Sequence, residues 1–222
     1  MTIEISAFAW VPPFAQGYVK DLRPRWALAE GGLDYTVSLV GGGRAETPEY
    51  RAWQPFGQVP AYRDEEVELF ESGAILLHIA QKAPALAPRD KQEAATTTAW
   101  VFSALNAIEP KVDNLILPGI FHAGEAWIDG ARAADENLLR MRLTSLSNAL
   151  GEKDWLVGGR FGVADIMMAT VLRGLQEEPI LEDFPRLAAY LKRCLERPGF
   201  ETALKAQLAT FAENAPPEAA AS

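Results

Sequence analysis

Few side chains in this chain can do chemistry, and their types narrow what that chemistry is. There is one cysteine, Cys194, and there are two histidines, His78 and His122. A single thiol closes no internal disulfide and cannot form a Cys-x-x-Cys redox pair. One cysteine and two scattered histidines do not compose a zinc site, so no metal is expected. Glu71-Ser72 is more informative. Ser72 falls where a helix should begin, and a hydroxyl at the N-cap accepts from the first free N–H groups. Those groups, together with the helix dipole, suit an anion. The plainer reading is an N-cap serine beside a surface glutamate. Val59-Pro60, by itself, is a proline at the start of a strand. Gly41-Gly42-Gly43 lacks the Gly-x-x-x-x-Gly-Lys pattern of a phosphate loop and reads as a turn.

These residues must be positioned by the elements around them. Ile3, Ile5 and Ala7 alternate with Glu4 and Ser6, which is a strand pattern. Trp10-Val11-Pro12-Pro13-Phe14-Ala15-Gln16-Gly17 is a loop. A helix is expected from Val19 to Glu30, stopped by Gly31-Gly32, with Pro24 either near its start or at a kink. Tyr35 to Val40 reads as a second strand, so the chain opens β-α-β. A short helix is expected over Pro48 to Trp53. Val59 to Tyr62 and Val67 to Phe70 form a candidate hairpin around Asp64-Glu65. A helix from Ser72 to Gln81 follows. Beyond the proline-rich stretch Ala83 to Pro88, no segment reads as a strand. Asp90 to Leu117 is helical in character, with Pro110 forcing a kink or break. Leu139, Leu143, Leu146 and Leu150 mark one face of a helix. Further helices are expected over 164–175, 185–197 and 199–212.

The net charge of −9 disfavours a nucleic-acid partner, since an acidic surface repels phosphates. No apolar run reaches the ~18 residues that span a bilayer, and no basic patch marks a membrane surface. The first residues lack the basic and apolar regions of a signal peptide.

Five stretches carry a wider pattern. They are Pro55-Phe56-Gly57-Gln58-Val59-Pro60; Leu69-Phe70-Glu71-Ser72-Gly73-Ala74-Ile75; Trp155-Leu156-Val157-Gly158 with Phe161 and Ala164-Asp165-Ile166; Phe184-Pro185-Arg186-Leu187 with Tyr190; and Arg197-Pro198-Gly199-Phe200. In order and spacing they resemble the cytosolic glutathione transferases over nearly the whole chain. The resemblance implies an α/β thioredoxin-like N-terminal domain over 1–82, a linker over 83–89, an all-α domain over 90–214 and a tail over 215–222. It also implies a cytoplasmic homodimer that uses glutathione as co-substrate, without a metal, against a small hydrophobic electrophile.

It implies roles for particular residues as well. Val59-Pro60 would be a cis bond, with Val59's N–H and C=O pairing with the cysteinyl part of glutathione like an added strand. The Ser72 hydroxyl and amide would hold the γ-glutamyl carboxylate, and Glu71 would lie near its ammonium group. Gln58, Arg44 and Arg51 are candidates for the glycyl carboxylate, a solvated surface role being the plainer reading of each. Asp165 would cap a helix, although Gly162 stands where the family has a hydroxyl residue. Trp100, Phe102, Phe121 and Trp127 either fill the core or line an apolar pocket.

Such an enzyme must ionise a thiol. Near its ordinary pKa of ~8.5, only about 3% of a thiol is thiolate at pH 7. Bringing that to about three-quarters takes roughly 2.7 kcal/mol of selective stabilisation. One charge-assisted hydrogen bond from the first loop is strong enough. Counting back from Arg25, the family's serine or cysteine position falls on Tyr18, and its tyrosine position on Phe14, which has no donor. Tyr18 is therefore the candidate catalytic residue, with Gln16 and the N–H groups of Gly17 and Tyr18 as further donors. The alternative for Tyr18 is an aromatic packed on its neighbours. The first loop has no cysteine, so the disulfide-exchanging branch does not fit, and Cys194 reads as a core thiol. The expected activity is conjugation of glutathione. The alternatives are a non-catalytic binding or assembly module, which Phe14 favours, and a glutathione-dependent isomerase or dehalogenase.

Overall fold

The computed structural model describes residues 2–217, and the expected tail over 215–222 lies largely outside them. The chain forms two compact units. One runs to Ala87 and takes up the chain again from Arg197; the other is Pro88–Glu196.

In the first unit, β1 (Ile3–Phe8), β2 (Tyr35–Val40), β3 (Ala61–Arg63) and β4 (Glu68–Phe70) form a sheet in the order β2-β1-β3-β4. β1 runs parallel to β2, with Ile3 opposite Tyr35 and Phe8 opposite Val40. It runs antiparallel to β3, which pairs with β4 as the expected hairpin. Ile3, Ile5 and Ala7 are buried, as their alternation requires. The third strand starts later than the sequence indicates. Val59 and Pro60 precede the ladder, because proline has no N–H to give it.

α1 (Leu22–Gly31) starts three residues after Val19. Leu22 and Arg23 donate to Val19 and Lys20 in a tight turn, and Pro24 falls in the first helical turn, where its missing N–H is not needed. The helix ends at Gly32, whose φ of 62° is left-handed. α2 (Pro48–Trp53) and α3 (Ser72–Lys82) complete the segment before the linker. α9 (Pro198–Glu213), the last helix among the described residues, packs on α1 and so belongs to this unit.

The second unit is helical among its described residues. α4 (Lys91–Ser103) and α5 (Glu109–Phe121) are joined by a π-helical turn over Ala104–Ile108. Pro110 lies just past that turn. The wider turn absorbs the proline's missing donor and ring clash, so the expected kink or break takes the form of a bulge. α6 (Ile128–Leu150) buries Leu139, Leu143, Leu146 and Leu150, its expected face. α7 (Val163–Leu172) and α8 (Pro185–Leu195) follow. Cys194 is fully buried. Phe102, Phe121 and Trp127 are not core residues: each is about half exposed or more, and Trp100 is half-buried. Trp100 and Phe102 lie on α4 and Phe121 ends α5, whereas Trp127 lies in the turn before α6.

At the start of α7, Asp165 accepts the Gly162 N–H at 3.0 Å, as a capping residue should. Its other oxygen accepts the Leu156 N–H and the Tyr190 hydroxyl, both at 2.9 Å. Gly162 contributes no side chain, so Asp165 supplies the cap alone.

Candidate functional site

The order β2-β1-β3-β4 places β1 where the chain's path reverses, with β2 on one side and β3 on the other. In open α/β sheets, ligands bind at such a switch point, beyond the carboxyl ends of the strands. Three segments meet there: the loop after β1, the approach to β3, and the β4–α3 junction.

The junction is the most unusual of the three. Glu71 is the one non-glycine residue among those described with a positive φ, at 68°. A side chain in that region is strained, and such strain gathers at functional sites. Glu71, not Ser72, is the residue ahead of the helix, and Ser72 is the first residue of α3. Ser72 is buried, and its hydroxyl accepts a 3.0 Å hydrogen bond from Arg23 Nη1. Arg23 is itself 3% exposed. A guanidinium thus lies against the positive end of α3, which deepens the anion preference of that end. Sequence reasoning passed over Arg23 in favour of Arg25. Arg25 instead forms a buried ion pair with Asp21 at 2.7 Å, and burial pushes the Asp21 carboxyl up against the pull of that arginine.

The approach to β3 faces the junction. Ala61 lies opposite Phe70 in the antiparallel register, so one further step sets Pro60 across from Glu71. Val59-Pro60 is a cis bond. Val59's side chain packs in a cluster with Val40, Tyr50, Trp53 and Ala61, and Val19 packs against the same cluster. Among the described residues, no hydrogen bond reaches Val59's own N–H or C=O. The peptide groups beside them are held. Tyr50's hydroxyl donates to the Gln58 carbonyl at 2.5 Å, and the Ala61 N–H donates to Ser6 Oγ at 2.7 Å. The Gln58 side chain is exposed.

The loop after β1 carries Tyr18, which is 47% exposed. Its backbone N–H donates to Ala15 at 3.0 Å, and the Gln16 amide donates to the Val11 carbonyl at 3.1 Å. Both groups stabilise the loop itself, so they are not the spare donors that the sequence offered. The Tyr18 side chain is part of this same loop and is half exposed. Arg44 and Arg51 are also engaged: Arg44 with Leu39 and Ser38 at the end of β2, Arg51 with Pro55 and Glu46. A side chain at Gly57 (φ 66°) would strike Arg51, so that loop is closed tightly around the arginine.

His78 has a partner that the sequence did not indicate. Its Nε2 lies 3.1 Å from Asp64 Oδ2, which also accepts Tyr62's hydroxyl and pairs with Lys82. This cluster belongs to the β3–β4 turn. Among the described residues, no group of three or more His, Cys, Asp or Glu side chains could hold a metal, and no helix is long and apolar enough to cross a membrane.

Comparison with known proteins agrees with this geometry. Residues 17–81 match the glutathione S-transferase N-terminal domain, and 89–198 match the C-terminal domain. The chain is 30% identical over 188 residues to glutathione S-transferase GstA of Escherichia coli O157:H7, covering 81% of this chain and 90% of that one. It is 29% identical over 192 residues to the disulfide-bond oxidoreductase YfcG of Escherichia coli K12, covering 82% and 88%. A Pseudomonas putida glutathione transferase, solved with one glutathione disulfide bound per subunit, superposes with a TM-score of 0.78 at 23% identity, covering 92% and 91%. The chain belongs to the glutathione S-transferase family.

Proposed function

We propose that this protein binds reduced glutathione at the junction of β4 and α3 and conjugates it to a hydrophobic electrophile. The observation that carries the reading is the Arg23–Ser72 contact at the first turn of α3, one register step from Val59-Pro60. A carboxylate at that turn meets free helix N–H groups, a hydroxyl and a buried guanidinium together. The γ-glutamyl end of glutathione has that carboxylate, and the exposed Glu71 carboxylate suits its ammonium. Val59 offers one donor and one acceptor to the central residue. Gln58, exposed beside it, suits the glycyl end.

The thiol would then lie towards the loop after β1. The Tyr18 hydroxyl donates to the thiolate and stabilises it, and the thiolate attacks the electrophile, with the leaving group or an added proton completing the change. As the family implies, the working form is a cytoplasmic homodimer.

The similarity to YfcG favours a second reading. In this reading, bound glutathione attacks a disulfide, forming a mixed disulfide and releasing one thiol, and a second glutathione displaces the other thiol to leave glutathione disulfide. No protein cysteine is required, which suits a first loop without one and a Cys194 that is fully buried.

The deciding experiment is a calorimetric titration with glutathione, following thiolate absorbance against pH. Binding with a bound thiol pKa well below ~8.5 supports a catalyst, and assays with model electrophiles and disulfides separate the two reactions. Binding with an unshifted thiol leaves a glutathione-binding module. No binding overturns the proposal.

A further inference from the structure

Two buried hydroxyls beside the site form a chain whose direction is fixed. The Gln58 carbonyl can only accept, so Tyr50's hydroxyl donates to it, at 2.5 Å. Tyr50's oxygen is therefore left to accept from Ser6, 2.8 Å away. Ser6 in turn accepts the Ala61 N–H at 2.7 Å. Each hydroxyl donates once and accepts once, from Ala61 through Ser6 and Tyr50 to Gln58. Ser6 is fully buried in the middle of a strand, and Tyr50 is 2% exposed. Burial pushes the Tyr50 phenol above its ordinary range, so it remains a donor.

The chain ends on the two peptide groups that flank Val59-Pro60. Among the described residues only the Val59–Pro60 bond is cis, so the Gln58–Val59 and Pro60–Ala61 peptides are trans. In a planar trans peptide, C=O and N–H point in opposite directions. Holding the Gln58 carbonyl toward Tyr50 therefore turns the Val59 N–H away from it. Holding the Ala61 N–H toward Ser6 likewise turns the Pro60 carbonyl away from Ser6. A donor on the Gln58 carbonyl also polarises the Val59 N–H of the same peptide, strengthening it as a donor.

We propose that Tyr50 and Ser6 are positioning residues for the peptide-binding edge: they aim the Val59 N–H at the carbonyl of the central residue of a bound γ-glutamyl peptide. This rests on the glutathione reading above. Neither side chain touches the ligand; each acts through the backbone between them.

The test compares two ligands. Glutathione has a carbonyl on its central residue. γ-Glutamyl-ethylamide keeps the γ-glutamyl group and its amide N–H but has no such carbonyl. In Tyr50→Phe, the glutathione Kd is expected to rise about tenfold, the loss of one oriented hydrogen bond, while the γ-glutamyl-ethylamide Kd changes less than about twofold. Unchanged glutathione binding in the folded variant overturns the proposal. So does equal weakening of both ligands, which marks Tyr50 as general support for the fold. If Tyr50→Phe does not fold, Ser6→Ala frees the Ala61 N–H and takes away Tyr50's donor, and should give the same split in smaller degree, since Tyr50 still donates to Gln58. In the unaltered protein, the Val59 amide resonance should move on adding glutathione and far less with γ-glutamyl-ethylamide; a resonance that glutathione leaves in place overturns the proposal. Failure of the unaltered protein to bind glutathione sinks the parent reading, and this inference with it, whereas the other failures sink this inference alone.

Discussion

Ser72 and Arg23 are each expected to act on the ligand's carboxylate, and they are coupled by their 3.0 Å contact. Ser72→Ala removes one hydrogen bond to that carboxylate, and hydrogen bonds to charged groups are worth roughly 1.5–3 kcal/mol. The glutathione Kd should therefore rise by about tenfold or more, as read by calorimetry. Arg23→Leu should weaken binding at least as much, and the double variant should lose less than the sum, because the two residues share one partner. Tyr18→Phe separates binding from activation. Its expected signature is an unchanged Kd with the bound thiol's pKa moved back toward ~8.5. A bound thiol whose titration ignores this change would move the donor away from Tyr18. The sequence made Ser72 visible because its motif is local. It hid Arg23, whose partner is 49 residues away, on a different helix.

At the scale of elements, α9 is the helix whose role the sequence least foretold. It follows the all-helical unit in the chain, yet it packs on α1 and belongs with it to the first unit. Trp26 stacks at a tilt on Phe200 with ring centroids 4.9 Å apart, and Arg197 grips Glu30 through two nitrogens at 2.8 and 2.6 Å. The buried Gln207 donates to the Val19 carbonyl and to Asp21, fixing the exit of the loop that carries Tyr18. A chain ending at Glu196 would bare Trp26 and leave Val19 and Asp21 short of a donor. It is expected to lose cooperative unfolding of the first unit and glutathione binding together, as followed by near-ultraviolet circular dichroism and calorimetry. In the other unit, Asp165→Asn should cost roughly 2–4 kcal/mol in chemical denaturation, since an amide cannot accept from all three of its donors. The motif around Asp165 disclosed a cap; only packing showed that the same carboxylate also ties down Leu156 and Tyr190.

For the molecule as a whole, acid is the expected weak point, and each unit has its own sensitive carboxylate. Burial by itself would raise Asp64, but hydrogen bonds from Tyr62, the Glu66 N–H, His78 and Lys82 outweigh it and hold the carboxyl far below the usual range. In the second unit, Glu93 is brought down to about 2, chiefly by its hydrogen bonds with Arg89. A carboxylate with a depressed folded pKa stabilises the fold above its unfolded pKa and loses that contribution as pH falls through the folded one. Thermal stability should thus be level above about pH 5 and decline from about pH 4 downward. Asp64→Asn should lower stability at neutral pH and flatten the acid decline of the first unit. A decline of unchanged steepness in that variant would show that other groups govern acid unfolding.

Much of this protein was written locally in the chain. Alternation in Ile3–Phe8, the leucines of Ile128–Leu150 and the turn residues between them define their elements through contacts a few residues apart, so periodicity exposes them. Family motifs at fixed spacing likewise exposed Val59, Glu71 and Ser72 as candidates. What the sequence left undecided depends on groups distant in the chain competing for the same partner. The Gln16 amide and Tyr18 N–H look like free donors until the folded loop uses them up. Arg23 gains meaning only when α1 lies against α3, and α9 finds its unit only through the apolar face of α1. Ser6 and Tyr50 are unremarkable residues until the fold places their hydroxyls between the Gln58 carbonyl and the Ala61 N–H. Short-range patterning sets which elements form, whereas buried hydrogen bonds between distant residues set where the site's donors point.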